Sequence, residues 1–469
     1  MVHHQENRER TGQGRRRQAL AAARTETIAA VATAAGRGAL GIVRLSGPQA
    51  FRIAQAVVGT LPAPRQAGLR HFRDATGAVL DQGLVLCFAA PASFTGEDVV
   101  ELQGHGGPVV LAALLATLVE QGARIAQPGE FSERAFLNGR IDLVQAEAIA
   151  DLIDAASVQA VRAANNSLDG AFSMRVHAAA AALGDLRVFV EGALDFSDED
   201  IDWLADAKLG ERLQALQDLI HQTQREAAQG RRLREGLTVA IVGQPNVGKS
   251  TLLNALAGFD AAIVSEHAGT TRDVLREHLV LGGMPLTVID TAGLRDTEDP
   301  VEREGIRRAR LALDKAELAL FVVDDRAGIT AADEALLHSL PPLPRLLVRN
   351  KCDLAEQPPL VFDDEGVRTV RLAAKSGAGL ELLGAELQAQ AGFTSGGEGA
   401  FLARARHLEA LATAATHLQN ARQQLAARNH AEIAAEELRL VQLALGRITG
   451  EQTSDALLGE IFRRFCIGK

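Results

Sequence analysis

The sequence predicts a multi-domain chain of the α/β and α classes, and three observations carry that prediction. Short β-like runs separated by glycine turns fill residues 25–140. An alanine-rich stretch with helical spacing begins at Ile141, and the same spacing returns after residue 394. Between them, over 235–393, buried-strand runs alternate with helices, the pattern of a doubly wound parallel sheet.

Residues 1–24, MVHHQENRERTGQGRRRQALAAAR, are rich in arginine but lack the apolar centre of a secretory signal. Glu6 and Glu9, and the missing serines, speak against a transit peptide, so the segment reads as a disordered extension. In 25–140, LGIVRLSG (40–47), LVLCF (84–88) and VVELQ (99–103) read as strands, and Val109–Glu120 reads as a helix. Over 141–234 apolar residues recur at helical spacing: Leu143, Ala146, Ala150 and Ile153, then Leu183, Leu186, Val190 and Leu194, then Leu213, Leu216 and Ile220.

At GLTVAIVG (236–243) the pattern becomes strand–loop–helix. Further strands are expected at LTVID (286–290), LALFVVD (318–324), RLLVRN (345–350) and TVRLAA (369–374). The alternation stops at TSGGEG (394–399). Helical spacing then resumes with Leu408, Leu411, Ala415, Leu418 and Leu425, and again with Leu438, Val441 and Leu445. The economical organisation is one helical domain, 141–234 with 394–469, into which an α/β domain, 235–393, is inserted.

A chain of 469 residues has room for two to four domains. No apolar run is long enough to span a bilayer. Cys87, Cys352 and Cys466 are too far apart to form a disulfide framework, which fits a reducing cytoplasm. A net charge of −10 argues against coating nucleic acid through bulk charge.

GQPNVGKS (243–250) matches the P-loop pattern and follows a predicted strand. Backbone N–H groups of such a loop cradle phosphates at a helix N-terminus. Asn246, Val247, Gly248, Lys249, Ser250 and Thr251 form this segment; Lys249 reaches the β- and γ-phosphates and Ser250 coordinates Mg²⁺. NKCD (350–353) ends a later strand. Asp353 can accept from the guanine N1–H and amine, which adenine does not offer, while Asn350 bonds the base edge and the Lys351 stem lies along the ring. In AAK (Ala373, Ala374, Lys375) a backbone N–H can reach the guanine O6. GTTRD (269–273) supplies Thr271 for Mg²⁺ and the γ-phosphate, and DTAG (Asp290, Thr291, Ala292, Gly293) completes the set. Each piece alone is a turn between strand and helix; in this order they specify guanine-nucleotide binding.

One position is out of pattern. Leu294 stands where many GTPases carry a water-orienting glutamine, and a leucine cannot hydrogen-bond a water.

These motifs, with FTGEDVVELQGHGG, PGEFSERAFLNGRIDLVQAEAIADLIDA and a terminal FCIGK, resemble the bacterial tRNA-modification GTPases of the MnmE family, also called TrmE. The resemblance runs from about residue 25 to Lys469. It implies a Ras-like G domain with a hydrophobic residue at the glutamine position, and it maps the water-orienting carboxylate onto Glu302. Without it, Glu302 reads instead as one exposed acid in a charged switch helix, beside Glu298, Asp299 and Glu304.

The resemblance also implies K⁺ beside the phosphates, with Asn246, Ser265, His267 and Thr270 as its surroundings, and Arg272 and Arg295 in the switches. Asn246 could otherwise only shape the loop. Residues 25–140 would be a tetrahydrofolate-binding and dimerisation domain, its ligand a 5,10-methylene- or 5-formyl-tetrahydrofolate held by Arg44, Glu101, Arg140 and Lys469. The family often has Lys at the Arg140 position, so charge is kept but geometry is not. Read from the residues alone, Arg44 and Glu101 form an ion pair, and His105 is a turn residue among glycines.

Implied partners are a second copy, a flavin-dependent MnmG (GidA) protein in a heterotetramer, and tRNA, without a membrane. The implied reaction adds a carboxymethylaminomethyl or aminomethyl group to C5 of the wobble uridine in certain tRNAs, with GTP hydrolysis driving conformational change. Cys466 would take part in that modification; as a lone thiol it is otherwise a small apolar residue. The rival classes are a ribosome-assembly switch and a regulatory GTPase without an RNA role. The former often carries a basic KH module, but the only G-x-x-G after the G domain, GGEG (396–399), lies in an acidic linker.

Overall fold

A computed structural model describes residues 26–195, 207–259, 276–290, 313–364, 366–393, 399–426 and 431–468. The chain divides into two compact units, one of residues up to 150 with 442–469, the other of 151–441.

In the first unit, β1 (Ile28–Val31), β2 (Gly38–Ser46), β3 (Gly68–Arg73), β4 (Val79–Phe88), β5 (Val99–Gly106) and β6 (Arg124–Ile125) form one sheet in the order β3-β4-β5-β2-β1-β6. All its pairings are antiparallel except β1 with β6. One face is covered by α1 (Ala50–Val58) and α2 (Pro108–Glu120). Helix α1 buries Ala50, Ile53, Ala54, Val57 and Val58, a stripe at i, i+3, i+4, i+7 and i+8 that meets Val43, Leu45, Val85 and Leu102 in the same cluster. On the opposite face Ile28 and Ala30 are buried with Phe131, whereas Leu40, Leu69 and Leu84 are 74%, 58% and 41% exposed.

Helix α3 (Glu130–Leu137) and α4 (Leu143–Ile153) follow. Leu143 and Ala146 pack with Leu458, Ile461, Phe462 and Phe465 near the C-terminus.

The second unit begins with α5 (Val158–Leu168), α6 (Ala171–Asp195) and α7 (Ala207–Glu235). It continues with β7 (Leu237–Val242), α8 (Lys249–Phe259), β8 (Arg276–Leu281), β9 (Met284–Asp290), β10 (Leu318–Asp324), α9 (Ala331–Ser339), β11 (Arg345–Asn350), β12 (Leu360–Asp364), β13 (Val367–Arg371) and α10 (Leu380–Gln390). The sheet order is β12-β13-β11-β10-β7-β9-β8. Its five inner strands are parallel, whereas β8 and β12 are antiparallel edges that the sequence pattern did not predict.

Inner strands bury both faces. Val239, Ile241, Leu320 and Val322 point into one cluster, and Ala240, Val242, Phe321 and Val323 into the other. The first cluster also takes in Ala163 and Ala164 of α5, Leu233 of α7 and Leu402, so the helices and the G-domain sheet share a core. The hairpin turn at Gly283 is gripped as well, since the Ser157 hydroxyl at the start of α5 donates to its carbonyl at 2.9 Å.

The chain ends with α11 (Ala405–Ala426), α12 (Ala431–Thr449) and α13 (Asp455–Arg463). Arg234 and Arg404, from opposite sides of the inserted sheet in sequence, share the buried Asp151 carboxylate at 2.8 and 2.7 Å.

Candidate functional site

The loop between β7 and α8 leaves Lys249 and Ser250 in the first turn of α8, with Ser250 exposed. The Lys249 ammonium folds over the loop and donates to Gly243 O and Gln244 O at 2.8 and 2.9 Å. Asn246 adopts φ +63°, unusual for a residue with a Cβ. Gly248 stands at φ +102°, where a Cβ would collide with the amide nitrogen of Asn350.

That amide fastens three loops. Asn350 is buried at the end of β11; its Nδ2 donates to Val247 O at 2.8 Å, and its Oδ1 accepts from Ala374 N–H at 2.9 Å. The N–H of Ala374 is thereby engaged inside the protein. Asp353 lies exposed in the turn after β11, and Lys375 is exposed beyond the buried Ala373 and Ala374. Lys351, at φ +66°, donates from Nζ to Asn246 O at 2.6 Å and to the Asp324 carboxylate at 2.9 Å. Beneath this loop Cys352 is buried, and burial pushes its thiol pKa up. Asp324 was not singled out from sequence; an acid ending an apolar strand beside a P-loop is the signal that marks it.

Ser265, His267, Thr270, Thr271, Arg272, Thr291, Ala292, Gly293, Leu294, Arg295 and Glu302 lie outside the described residues, as does Lys469.

In the first unit, Arg44 of β2 faces Glu101 of β5 in register, with Nη2 and Nε at 2.8 and 3.0 Å from the same carboxylate oxygen. The Arg44 guanidinium lies between the rings of Phe94 and Phe131, at 5.9 and 5.8 Å. Neither ring was singled out from sequence. Arg140 is exposed, its stem beside Gly96 in the loop that carries Phe94. Below, Arg134 is buried and bridges Glu97 and Glu130 at 3.1 and 3.0 Å. Burial alone would raise the Glu130 pKa, but hydrogen bonds from Arg124, Gln127 N–H and Arg134 outweigh it and hold the carboxyl below its usual value.

His105 departs from the turn expected of it. It belongs to β5, opposite Leu40, and Asp81 accepts from its backbone N–H at 2.8 Å while meeting its Nδ1 at 2.7 Å. Cross-strand pairing overrides the flanking glycines.

The tail after α13 returns to this sheet. Gly129 donates to Cys466 O at 3.3 Å, and its φ of +71° suits a glycine whose Cβ would strike Phe462 O. Gly468 packs on Val31 O, one step from the Ala30–Arg44 pair. Cys466 is exposed.

A parallel sheet, a P-loop entering α8 and an NKCD turn after β11 tied to that loop through Asn350 together define a P-loop GTPase. The family description "MnmE helical domain" matches residues 143–466, and "GTP-binding protein TrmE N-terminus" matches 27–140. The chain is 54% identical over 451 residues to the tRNA modification GTPase MnmE of Sodalis glossinidius (strain morsitans), covering 95% of this chain and 99% of that one. It is 55% identical over 446 residues to the MnmE of Thiobacillus denitrificans, covering 95% and 98%. A solved structure of a tyrosine-to-alanine variant of Aquifex aeolicus Era bound to GDP.AlF4- is 26% identical over 38% of this chain and 66% of its own, with a TM-score of 0.26. The chain belongs to the MnmE (TrmE) family of tRNA modification GTPases. It is a GTP hydrolase that takes part in tRNA modification. Among the described residues, no helix is long and apolar enough to cross a membrane.

Proposed function

We propose that this GTPase is activated by K⁺ and works with a flavin-dependent MnmG (GidA) protein. Together they add a carboxymethylaminomethyl or aminomethyl group to C5 of the wobble uridine in certain cytoplasmic tRNAs, using a tetrahydrofolate one-carbon derivative. The observation that carries the reading is the return of the C-terminal tail to Val31, beside the Arg44–Glu101 pair. It brings an exposed Cys466 to the unit that holds the folate candidates.

The folate site would comprise Arg44, Glu101, Arg140 and Lys469. An arginine between two aromatic rings suits a ligand with a flat ring and carboxylates. A carboxylate beside it can accept from pterin N–H groups. The 5,10-methylene or 5-formyl derivative of tetrahydrofolate would supply the one-carbon unit; the chain's own residues would bind and orient it.

At the nucleotide site Ser250 and Thr271 would hold Mg²⁺, and Asn246, Ser265, His267 and Thr270 would surround K⁺. The exposed Asn246, held in the left-handed region by contacts elsewhere, fits an oxygen ligand at the phosphate end of the loop. A fixed cation there offsets charge that develops during hydrolysis. Glu302 orients the attacking water, the task Leu294 cannot perform, and Arg272 and Arg295 steady the switches.

Two exposed apolar side chains that pair across the sheet, Leu69 and Leu84, support a homodimer, since a second copy would bury them. Mass spectrometry of tRNA nucleosides from a deletion strain tests the whole reading. Modified wobble uridine should disappear and return on complementation; an unchanged nucleoside profile would overturn it.

A further inference from the structure

We propose that Asp324 is a positioning residue of the nucleotide site, holding Lys351 across the P-loop backbone and so setting how slowly guanine nucleotide leaves. The inference rests on the reading of Asn350–Asp353 as the base-recognition loop.

Asp324 ends β10 and pairs in register with Asn350 at the end of β11. Its carboxylate is fixed by Arg326, through the backbone N–H at 3.1 Å and the guanidinium at 2.9 and 2.6 Å. Its Oδ2, which meets the guanidinium at 2.6 Å, also receives the Lys351 ammonium at 2.9 Å. The same ammonium donates to Asn246 O at 2.6 Å. One nitrogen thus joins two residues that both occupy the left-handed region, Asn246 at φ +63° and Lys351 at φ +66°. Such backbones persist only where surrounding contacts specify them.

A lysine is a point charge on a flexible stem, so its position depends on what receives it. A fixed carboxylate behind the ammonium supplies that constraint through a charge-assisted hydrogen bond. Without it, the Lys351 stem is released from the place where it would lie along the base, and Asn246 loses its tie. The Asn350 bonds to Val247 and Ala374 do not involve Asp324. The loops therefore remain joined, and the loss is read in nucleotide retention.

The test measures dissociation of a fluorescent GDP from the full-length protein. Asp324→Asn, isosteric but uncharged, should release it roughly ten- to a hundredfold faster, the scale of a lost hydrogen bond to a charged group. Asp324→Glu keeps the charge and should fall between. The double variant Asp324→Asn with Lys351→Met should release GDP no faster than Lys351→Met alone. Unchanged release in Asp324→Asn, or additive effects in the double variant, would overturn the proposal. If the Asn variant does not fold, the Glu variant carries the same comparison. Asp353→Asn separates the two readings: if it leaves GDP binding intact, the base-loop reading fails, whereas weakened binding there with normal release in Asp324→Asn sinks only the Asp324 proposal.

Discussion

Asn350 and Val247, more than a hundred positions apart in sequence, are joined by a 2.8 Å hydrogen bond between a buried side-chain amide and a P-loop carbonyl. The same amide holds Ala374 N–H. Asn350→Ala should therefore leave two backbone groups without partners and destabilise the ligand-free protein by about 1–3 kcal/mol. Urea denaturation measures it; a variant as stable as the parent would show that water replaces the amide.

Hydrolysis should be much faster in KCl than in NaCl at equal ionic strength. Screening is matched in that comparison, so only specific coordination near Asn246 separates the two salts. Equal rates would remove K⁺ from the site.

Glu302→Ala should cut turnover by 10²-fold or more, on the order of a lost general base, while GTP affinity stays near the parent's. An interaction made only in the transition state behaves in that way. Near-native turnover would return Glu302 to the solvated helix face.

Cys466→Ser should keep K⁺-stimulated GTPase activity and lower modified uridine in cells. The exposed thiol sits on a tail whose anchors are Gly129, Phe462 and Phe465, not the thiol itself. Full modification in that strain would make the thiol dispensable, and loss of both activities would mark the tail as structural.

Acid stability should carry a contribution from Asp324. Arg326 first, and Lys351 with it, hold its carboxyl well below the usual carboxylate range. A depressed folded-state value stabilises fully above the unfolded value of 3.8 and is lost as pH falls below it. Urea midpoints of the parent and Asp324→Asn should therefore converge below about pH 4. A gap that stays constant from pH 6 to about pH 3 would contradict the charge-based account.

The parallel sheet was legible because its inner strands are buried on both faces and read as unbroken apolar runs, LTVAIV, LALFVVD and RLLVRN. The nucleotide motifs were legible because phosphate and guanine chemistry demands particular residue types at short spacing. Strands such as GLRHFR and REHLVL escaped, since an edge or one-sided strand carries too many polar residues to stand out. By itself the sequence determined the fold class, the GTPase class and the family. Only the tertiary structure decided that Asp324 backs Lys351, that Phe94 and Phe131 flank Arg44, and that Gly468 returns to Val31. Those relationships join residues tens to hundreds of positions apart, and no local periodicity records a contact made by folding.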